Sequence, residues 1–197
     1  MTNLQNNFNL TFLTTLQNYV LPLYFLIQDE DMDIKDRDKK LLCLQEFIGL
    51  EISMNKFIHQ TPTQKLAEQI ITDGFKFENH LMHTTDQVSG FDLVELNYFL
   101  MIRRDYGQFT IVIVIADELI DYLIKIIKTT NIHYSEILSK TLPMCNSEDT
   151  LFYTLPEQFI KGYFNQITLE RIFNSKFDPH YRPPTIIENF EILTKSQ

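Results

Sequence analysis

The chain has 197 residues, enough for one domain with a sizeable core or for one domain with an extra helical segment. Its hydrophobic content of 44% excludes a disordered protein, and its formal charge of −9 argues against a nucleic-acid scaffold. The two cysteines, Cys43 and Cys145, are too far apart in sequence for a zinc motif and make no disulfide framework.

Residues 1–52 are predicted to form an N-terminal helical segment. Residues 39–52 have apolar positions at helical spacing, after an acidic connector (29–38) that is predicted to be an exposed loop or a helix start. The same spacing occurs earlier, at Leu10, Leu13, Leu16 and Val20. Polar residues interrupt the apolar stretch 8–27, and the first positive charge is Lys35, so neither a signal peptide nor a membrane helix is predicted. We therefore expect a cytoplasmic protein without a membrane partner, with export that uses no cleaved signal as the alternative.

Residues 57–74 are predicted to form the end of a strand, a polar turn and a helix. The strand ends at His59, and the helix is predicted to begin at an N-cap Thr61 with a capping box completed by Gln64. Gly74 supplies the predicted C-terminal stop. A histidine beside a turn of backbone amides and a helix N-terminus is a place to hold a polar or anionic ligand.

The remaining chain, within a domain predicted to span residues 53–197, mixes helices and strands. Predicted strands cover residues 75–85 (one strand or a pair), 109–115 and 150–155, a helix covers 117–130, and a helical turn covers 156–160 and ends at Gly162. Residues 89–104 fit a buried strand or a helix, and the tail after residue 178 is predicted to be extended. An α+β domain follows from this order of elements.

Three stretches, in this order, resemble blocks of the ADP-ribosyltransferase superfamily in its histidine-containing branch, which is typified by diphtheria toxin and poly-ADP-ribose polymerases. The stretches are FIHQTPTQKLAEQIITDGF (57–75), HLMHTTD (80–86) and EDTLFYTLPEQFIKG (148–162), and FTIVIVI (109–115) resembles the central strand. The resemblance spans residues 56–179. It implies an α+β fold with a split, mixed or mostly antiparallel sheet of ADP-ribosyltransferase type, preceded by the N-terminal helical segment.

The resemblance also implies an activity: transfer of ADP-ribose from NAD to a macromolecular target, or hydrolysis of NAD. Displacement of nicotinamide produces an oxocarbenium-like ribose, which a nearby carboxylate stabilises. The match assigns this role to Glu148, with Asp149 as the alternative, and has His59 hydrogen-bond a ribose hydroxyl. The expected partners are NAD, as substrate, and a macromolecular acceptor or protein partner; nucleic acid is not expected.

The implied cofactor-binding positions lie in the first two blocks. Backbone groups of Gln60 or Thr61 would hold the nicotinamide amide, and Thr84 belongs to the second block. Met82 or Leu81 lies where relatives commonly place a stacking tyrosine. An aliphatic side chain covers a ring face without the aromatic stacking surface, so the departure implies altered substrate choice or an inactive enzyme.

Each of these residues also has a plainer interpretation. His59 fits a structural histidine hydrogen-bonded to a turn, and Glu148 fits an exposed turn carboxylate. No metal site is predicted, because His80 and His83 on a strand would point to opposite faces. The alternative function is a non-catalytic acidic interaction protein, such as an inhibitor, immunity protein or adaptor, with a degenerate version of this fold.

Overall fold

The computed structural model describes residues 34–78, 85–102, 104–127, 144–147 and 150–184. Contacts divide the chain into two compact units, Met1–Lys39 and Lys40–Gln197, and of the first only residues 34–39 are described. The described helices are α1 (Ile34–Ile48), α2 (Gln64–Asp73), α3 (Leu93–Ile102) and α4 (Asp117–Ile127). The described strands are β1 (Met54–Thr61), β2 (Phe75–Glu78), β3 (Asp86–Val88), β4 (Phe109–Ala116), β5 (Met144–Ser147), β6 (Thr150–Leu155), β7 (Ile160–Asn165) and β8 (Arg171–Phe173).

Helix α1 begins inside the acidic connector, so residues 34–38 are the helix start that the sequence allowed as one of two alternatives. Its apolar stripe is buried, and the helix ends at Ile48, where the Gly49 amide donates to the Gln45 carbonyl at 3.0 Å. The helical pattern predicted to continue to residue 52 therefore stops early. The helix predicted for the N-terminal residues 1–33 lies outside the described residues.

Sheet A contains five strands in the order β3-β1-β4-β7-β8, and each described pairing is antiparallel. All eight residues of the central strand β4 are buried. An unbroken β-branched run suits a strand that is covered on both faces, and this confirms the strand predicted for residues 109–115.

Sheet B contains three strands in the order β2-β6-β5, also antiparallel. Strand β6 has the predicted bounds, and β2 lies within the predicted strand region 75–85. The described residues therefore form an α+β fold whose strands are arranged in two antiparallel sheets.

Two hydrophobic clusters form the core. Cluster one brings α2 and α4 together with sheet A and sheet B, and contains Phe57, Ala67, Phe75, Phe77, Phe109, Ile111, Ile113, Ile115, Leu119, Ile120, Leu155, Phe159, Ile160 and Tyr163. Cluster two brings α1 and α3 against sheet A, and contains Leu41, Leu44, Phe47, Ile48, Ile58, Val88, Leu96, Val112, Val114 and Phe164. Alternate residues of β1 and β4 belong to different clusters, so the clusters lie on opposite faces of sheet A.

Two local predictions are wrong because strand pairing overrides the local signal, and one open alternative is decided. The N-cap assigned to Thr61 is wrong: Thr61 pairs with Phe109 in the sheet, and the Thr63 side chain caps α2 by accepting from the Leu66 amide at 3.3 Å. The helical turn of residues 156–160 is shorter, Glu157–Phe159, and Gly162 lies inside strand β7 instead of ending a helix. For residues 89–104 the sequence left a buried strand and a helix open, and the structure has a helix, α3.

Helix α4 confirms the helix predicted after β4, and Gly74 ends α2 as predicted, its amide donating to the Ile70 carbonyl. None of the described helices is long and apolar enough to cross a membrane.

Candidate functional site

The candidate site is the end of strand β1, where consecutive side chains alternate between the faces of sheet A. His59 is paired with Ile111 of β4, which is in turn paired with Tyr163 of β7. Residues directly opposite each other in an antiparallel pair share a face. Because Ile111 and Tyr163 belong to cluster one, His59 and Thr61 lie on the cluster-one face and Gln60 on the cluster-two face.

The His59 ring lies where the two sheets approach each other. It contacts the ring of Phe75, the first residue of β2, with centroids 4.7 Å apart and planes tilted by 57°. Phe57 and Thr61, its neighbours on the same face, are 0% and 3% exposed, whereas His59 is partly exposed. His59 is therefore held by a buried aromatic ring while part of it remains accessible to a ligand.

The sequence signal for the position of Phe75 is the glycine that precedes it. Phe75 directly follows Gly74, which ends α2, so the chain passes from the helix into β2 without a loop. The tight connection places Phe75 at the edge of sheet B, paired with Leu155 of β6.

Thr61 is enclosed at the last position of the β1–β4 ladder. Gly107, with φ of 135°, lies so close that a Cβ there would be 2.2 Å from the carbonyl carbon and oxygen of Thr61. Only glycine fits at this approach. The turn that precedes β4 therefore packs tightly over Thr61, one of the two residues whose backbone the resemblance assigned to the nicotinamide amide.

The side-chain amide of Gln60 is buried on the other face of sheet A. Its side chain is 7% exposed, and among the residues that the structure describes neither Nε2 nor Oε1 has a hydrogen-bond partner. It is paired with Thr110, a fully buried residue whose hydroxyl accepts from Gln166 Nε2 at 2.9 Å. The Gln60 side chain points away from the His59 face, so only its backbone could serve a ligand there, as the resemblance implied.

Helix α2 covers the face of sheet A on which His59 lies, and its Glu68 and Gln64 interact with Tyr163 of β7 on that face. Tyr163 lies two strands from His59, about 10 Å away at the usual strand spacing, and is 2% exposed. Burial, and then the charge of Glu68 on α2, raise the pKa of the Tyr163 phenol. Its hydroxyl therefore remains protonated at neutral pH, and Glu68 itself accepts from Gln64 Nε2 at 2.9 Å.

The remaining predicted site residues lie outside the described residues: Glu148, its alternative Asp149, Met82, its alternative Leu81, and Thr84. Ser147 and Thr150, which flank the acidic pair, are register partners in the β5–β6 hairpin. Of the three predicted site residues in β1, His59 and Thr61 share the cluster-one face of sheet A. The role of Glu148 or Asp149 as the catalytic carboxylate stays a prediction.

Within the part of the chain that the structure describes, no group of three or more His, Cys, Asp or Glu residues could hold a metal ion. His80 and His83 lie outside that part.

In comparisons with known proteins, no family model, no curated protein and no solved structure matches this chain.

Proposed function

We propose that the chain is an NAD-consuming enzyme that transfers ADP-ribose to a macromolecular target or hydrolyses NAD. The observation that carries the proposal is the position of His59 at the meeting of the two sheets, partly exposed and oriented by Phe75. Thr61, the next residue on the same face, has a buried side chain, so only its backbone would serve a ligand at this position. The split into two antiparallel sheets supports the proposal further, because the resemblance implied a split sheet.

The reaction breaks the bond between ribose C1′ and the nicotinamide nitrogen, and the bonding electron pair leaves with nicotinamide. A water molecule or an acceptor side chain then forms a bond to C1′ and releases its proton to a carboxylate or to solvent. The ribose carries positive charge in the transition state, so a fixed negative charge near it lowers the barrier. We assign that charge to Glu148, with Asp149 as the alternative.

The residues at the end of β1 orient the substrate in this proposal. The His59 imidazole donates a hydrogen bond to a ribose hydroxyl, and the Phe75 ring fixes the imidazole plane. The backbone of Gln60 or Thr61 holds the nicotinamide amide, while Met82 and Thr84 contribute from the second block. Correct orientation of the substrate is worth a large part of the barrier, so loss of the histidine is expected to slow nicotinamide release by about 100-fold or more.

The test measures free nicotinamide by mass spectrometry after the full chain is incubated with NAD, alone and with candidate acceptor proteins. We expect release by the natural chain and its loss in His59→Ala. His180→Ala is the matched control, because His180 is exposed and pairs with Glu118 instead of facing the site. Thermal unfolding of each variant separates loss of activity from loss of fold.

A second pair of variants assigns the carboxylate. If Glu148 stabilises the ribose cation, Glu148→Gln abolishes nicotinamide release and Asp149→Asn retains it; the reverse result assigns Asp149. Release that persists in both variants and in His59→Ala would contradict the proposal. A folded chain that neither binds NAD nor releases nicotinamide would favour the alternative, a non-catalytic acidic interaction protein.

A further inference from the structure

Two lysine side chains meet at the carboxyl end of helix α1. Lys161 of β7 donates from Nζ to the carbonyl of Ile48, the last residue of α1, at 3.1 Å. Lys56 of β1 is 1% exposed, and its Nζ donates to the carbonyls of Glu51 and Ser89. A lysine is rarely buried without a carboxylate partner, because its charged form loses hydration. Here the acceptors of both amines are backbone carbonyls, which carry no formal charge.

A bulge in strand β7 directs Lys161 to this position. In the pairing of β4 with β7, Val112 pairs with Gly162 and Ile113 with Ile160, so Lys161 is an extra residue between the two pairs. A bulge of this kind interrupts the alternation of a strand and redirects a side chain. Ile160 lies in cluster one, whereas the Lys161 amine reaches α1 on the opposite face of sheet A.

Burial and mutual repulsion favour loss of a proton from this pair of amines. Burial lowers the pKa of Lys161. The pKa of Lys56 is lowered as well, first by burial and also by the charge of Lys161. Glu51 and Asp117 act on Lys56 in the opposite direction. Because the repulsion between two charged amines is mutual, the pair loses one proton more readily than an isolated lysine does.

Lys161 is the amine of the pair that a reagent reaches. Its side chain is partly exposed, whereas Lys56 is buried. A neutral amine has two N–H groups and one lone pair; the bond to the Ile48 carbonyl uses one N–H and orients the lone pair. A Cβ at Gly49 would lie 3.2 Å from Lys161 Nζ, so a side chain at that position would crowd the amine. A partly desolvated amine beside a second cation is a typical setting for a nucleophilic lysine.

We propose that Lys161 is a site of covalent acylation by a small acyl thioester. The neutral amine attacks the carbonyl carbon of the thioester and forms the N–C bond, and the C–S bond breaks with its electron pair on sulfur. The amine's proton goes to the departing thiolate or to solvent. The product amide is uncharged and keeps one N–H for the Ile48 carbonyl. Acylation therefore removes the repulsion on Lys56 while the end of α1 stays capped.

The test incubates the full chain at neutral pH with the acetyl thioester of N-acetylcysteamine. Mass spectrometry of peptides gives the initial rate of acetylation at each lysine. Lys65 is the internal comparison, because it is exposed on α2, and greater access would make it the faster of the two. We expect Lys161 to be acetylated faster than Lys65 by about threefold or more. This advantage should disappear when the chain is unfolded in urea.

A variant tests whether the charges around the amine set its reactivity. The Glu51 carboxylate, which is exposed, raises the pKa of Lys161, so Glu51→Gln should increase the rate at Lys161 by about twofold or more. Glu46→Gln is the matched control, because Glu46 is an exposed acid of α1 that pairs with Arg171. It should leave the rate at Lys161 unchanged. Thermal unfolding of each variant shows that the fold is retained.

Three results would overturn the proposal. One is acetylation of Lys161 no faster than that of Lys65 in the folded chain. Another is an advantage of Lys161 that persists in urea, since the reactivity would then come from the local sequence. The third is a rate at Lys161 that Glu51→Gln does not raise above the rate in Glu46→Gln.

Discussion

Replacing Gln60 by methionine is expected to stabilise the protein. Both polar atoms of the Gln60 amide are buried and have no hydrogen-bond partner in the described part of the chain, and an unsatisfied buried group of this kind costs about 1–3 kcal/mol. Methionine has a similar length and adapts to irregular surroundings, so it fills the same space without the desolvated amide. We expect the free energy of unfolding to rise by about 1–2 kcal/mol.

Gln166→Met is the matched comparison, because this amide has a partner. Gln166 Nε2 donates to the hydroxyl of Thr110 at 2.9 Å, and Thr110 is fully buried. Its replacement removes the bond and is expected to lower the free energy of unfolding by about 1 kcal/mol. Gln60 is paired with Thr110 in sheet A, and Gln166, in the turn after β7, bonds the Thr110 hydroxyl, so the two glutamine-to-methionine changes test neighbouring amides and should have opposite signs.

Urea unfolding monitored by circular dichroism measures both effects, provided that the dependence on denaturant is unchanged between variants. A loss of about 1 kcal/mol or more in Gln60→Met would refute the reasoning, since the amide would then make a bond that stabilises the fold. Because the proposed role of Gln60 uses only its backbone, the variant should also retain nicotinamide release.

Further predictions concern the cap, a strand glycine and a buried lysine. Thr63→Ala should lower the free energy of unfolding by about 1 kcal/mol in urea titrations, because it removes the N-cap of α2, and an unchanged value would contradict that role. Gly162→Ala should destabilise the fold by more than about 2 kcal/mol, because a Cβ at its φ of 149° would lie 2.0 Å from the Ile172 carbonyl oxygen; a thermal melt that matches the natural chain would refute this. Burial lowers the pKa of Lys161, whose Nζ donates to the Ile48 carbonyl, below its usual value of 10.5. Between the two pKa values the folded state binds fewer protons than the unfolded state, so stability due to this group rises with pH across that window. Lys161→Met should flatten the rise, and unfolding titrations from neutral to alkaline pH that give equal slopes would contradict it.

Local signals were sufficient for several elements. The β-branched run of β4 and the glycine that ends α2 depend on neighbouring residues alone, and both were predicted. Strand β7 was missed because Gly162 and the preceding turn resemble a helix end, and only pairing with β4 and β8 makes this segment a strand. Pairing of β1 with β4 likewise extends β1 through Thr61, and the helix cap is therefore Thr63.

The candidate site likewise has features with a local sequence signal and features without one. The sequence pointed to His59 but wrongly ended the strand there: β1 continues to Thr61, so Gln60 and Thr61 belong to the ladder with β4 and not to a turn. The contact between His59 and Phe75 joins two sheets, and the buried amide of Gln60 depends on the face that β1 presents to cluster two. Neither follows from composition or spacing without the register of the sheets.

The most direct test of the central proposal, that NAD binds at His59, is a nuclear magnetic resonance titration of the histidine-labelled full chain. The ligand is a carbocyclic analogue of NAD, which does not release nicotinamide by this route, and the His59 signal is assigned by its absence from His59→Ala. We predict that the His59 signal shifts in a saturable way while the His180 signal stays in place. A His59 signal that does not move at saturating analogue would contradict the proposal.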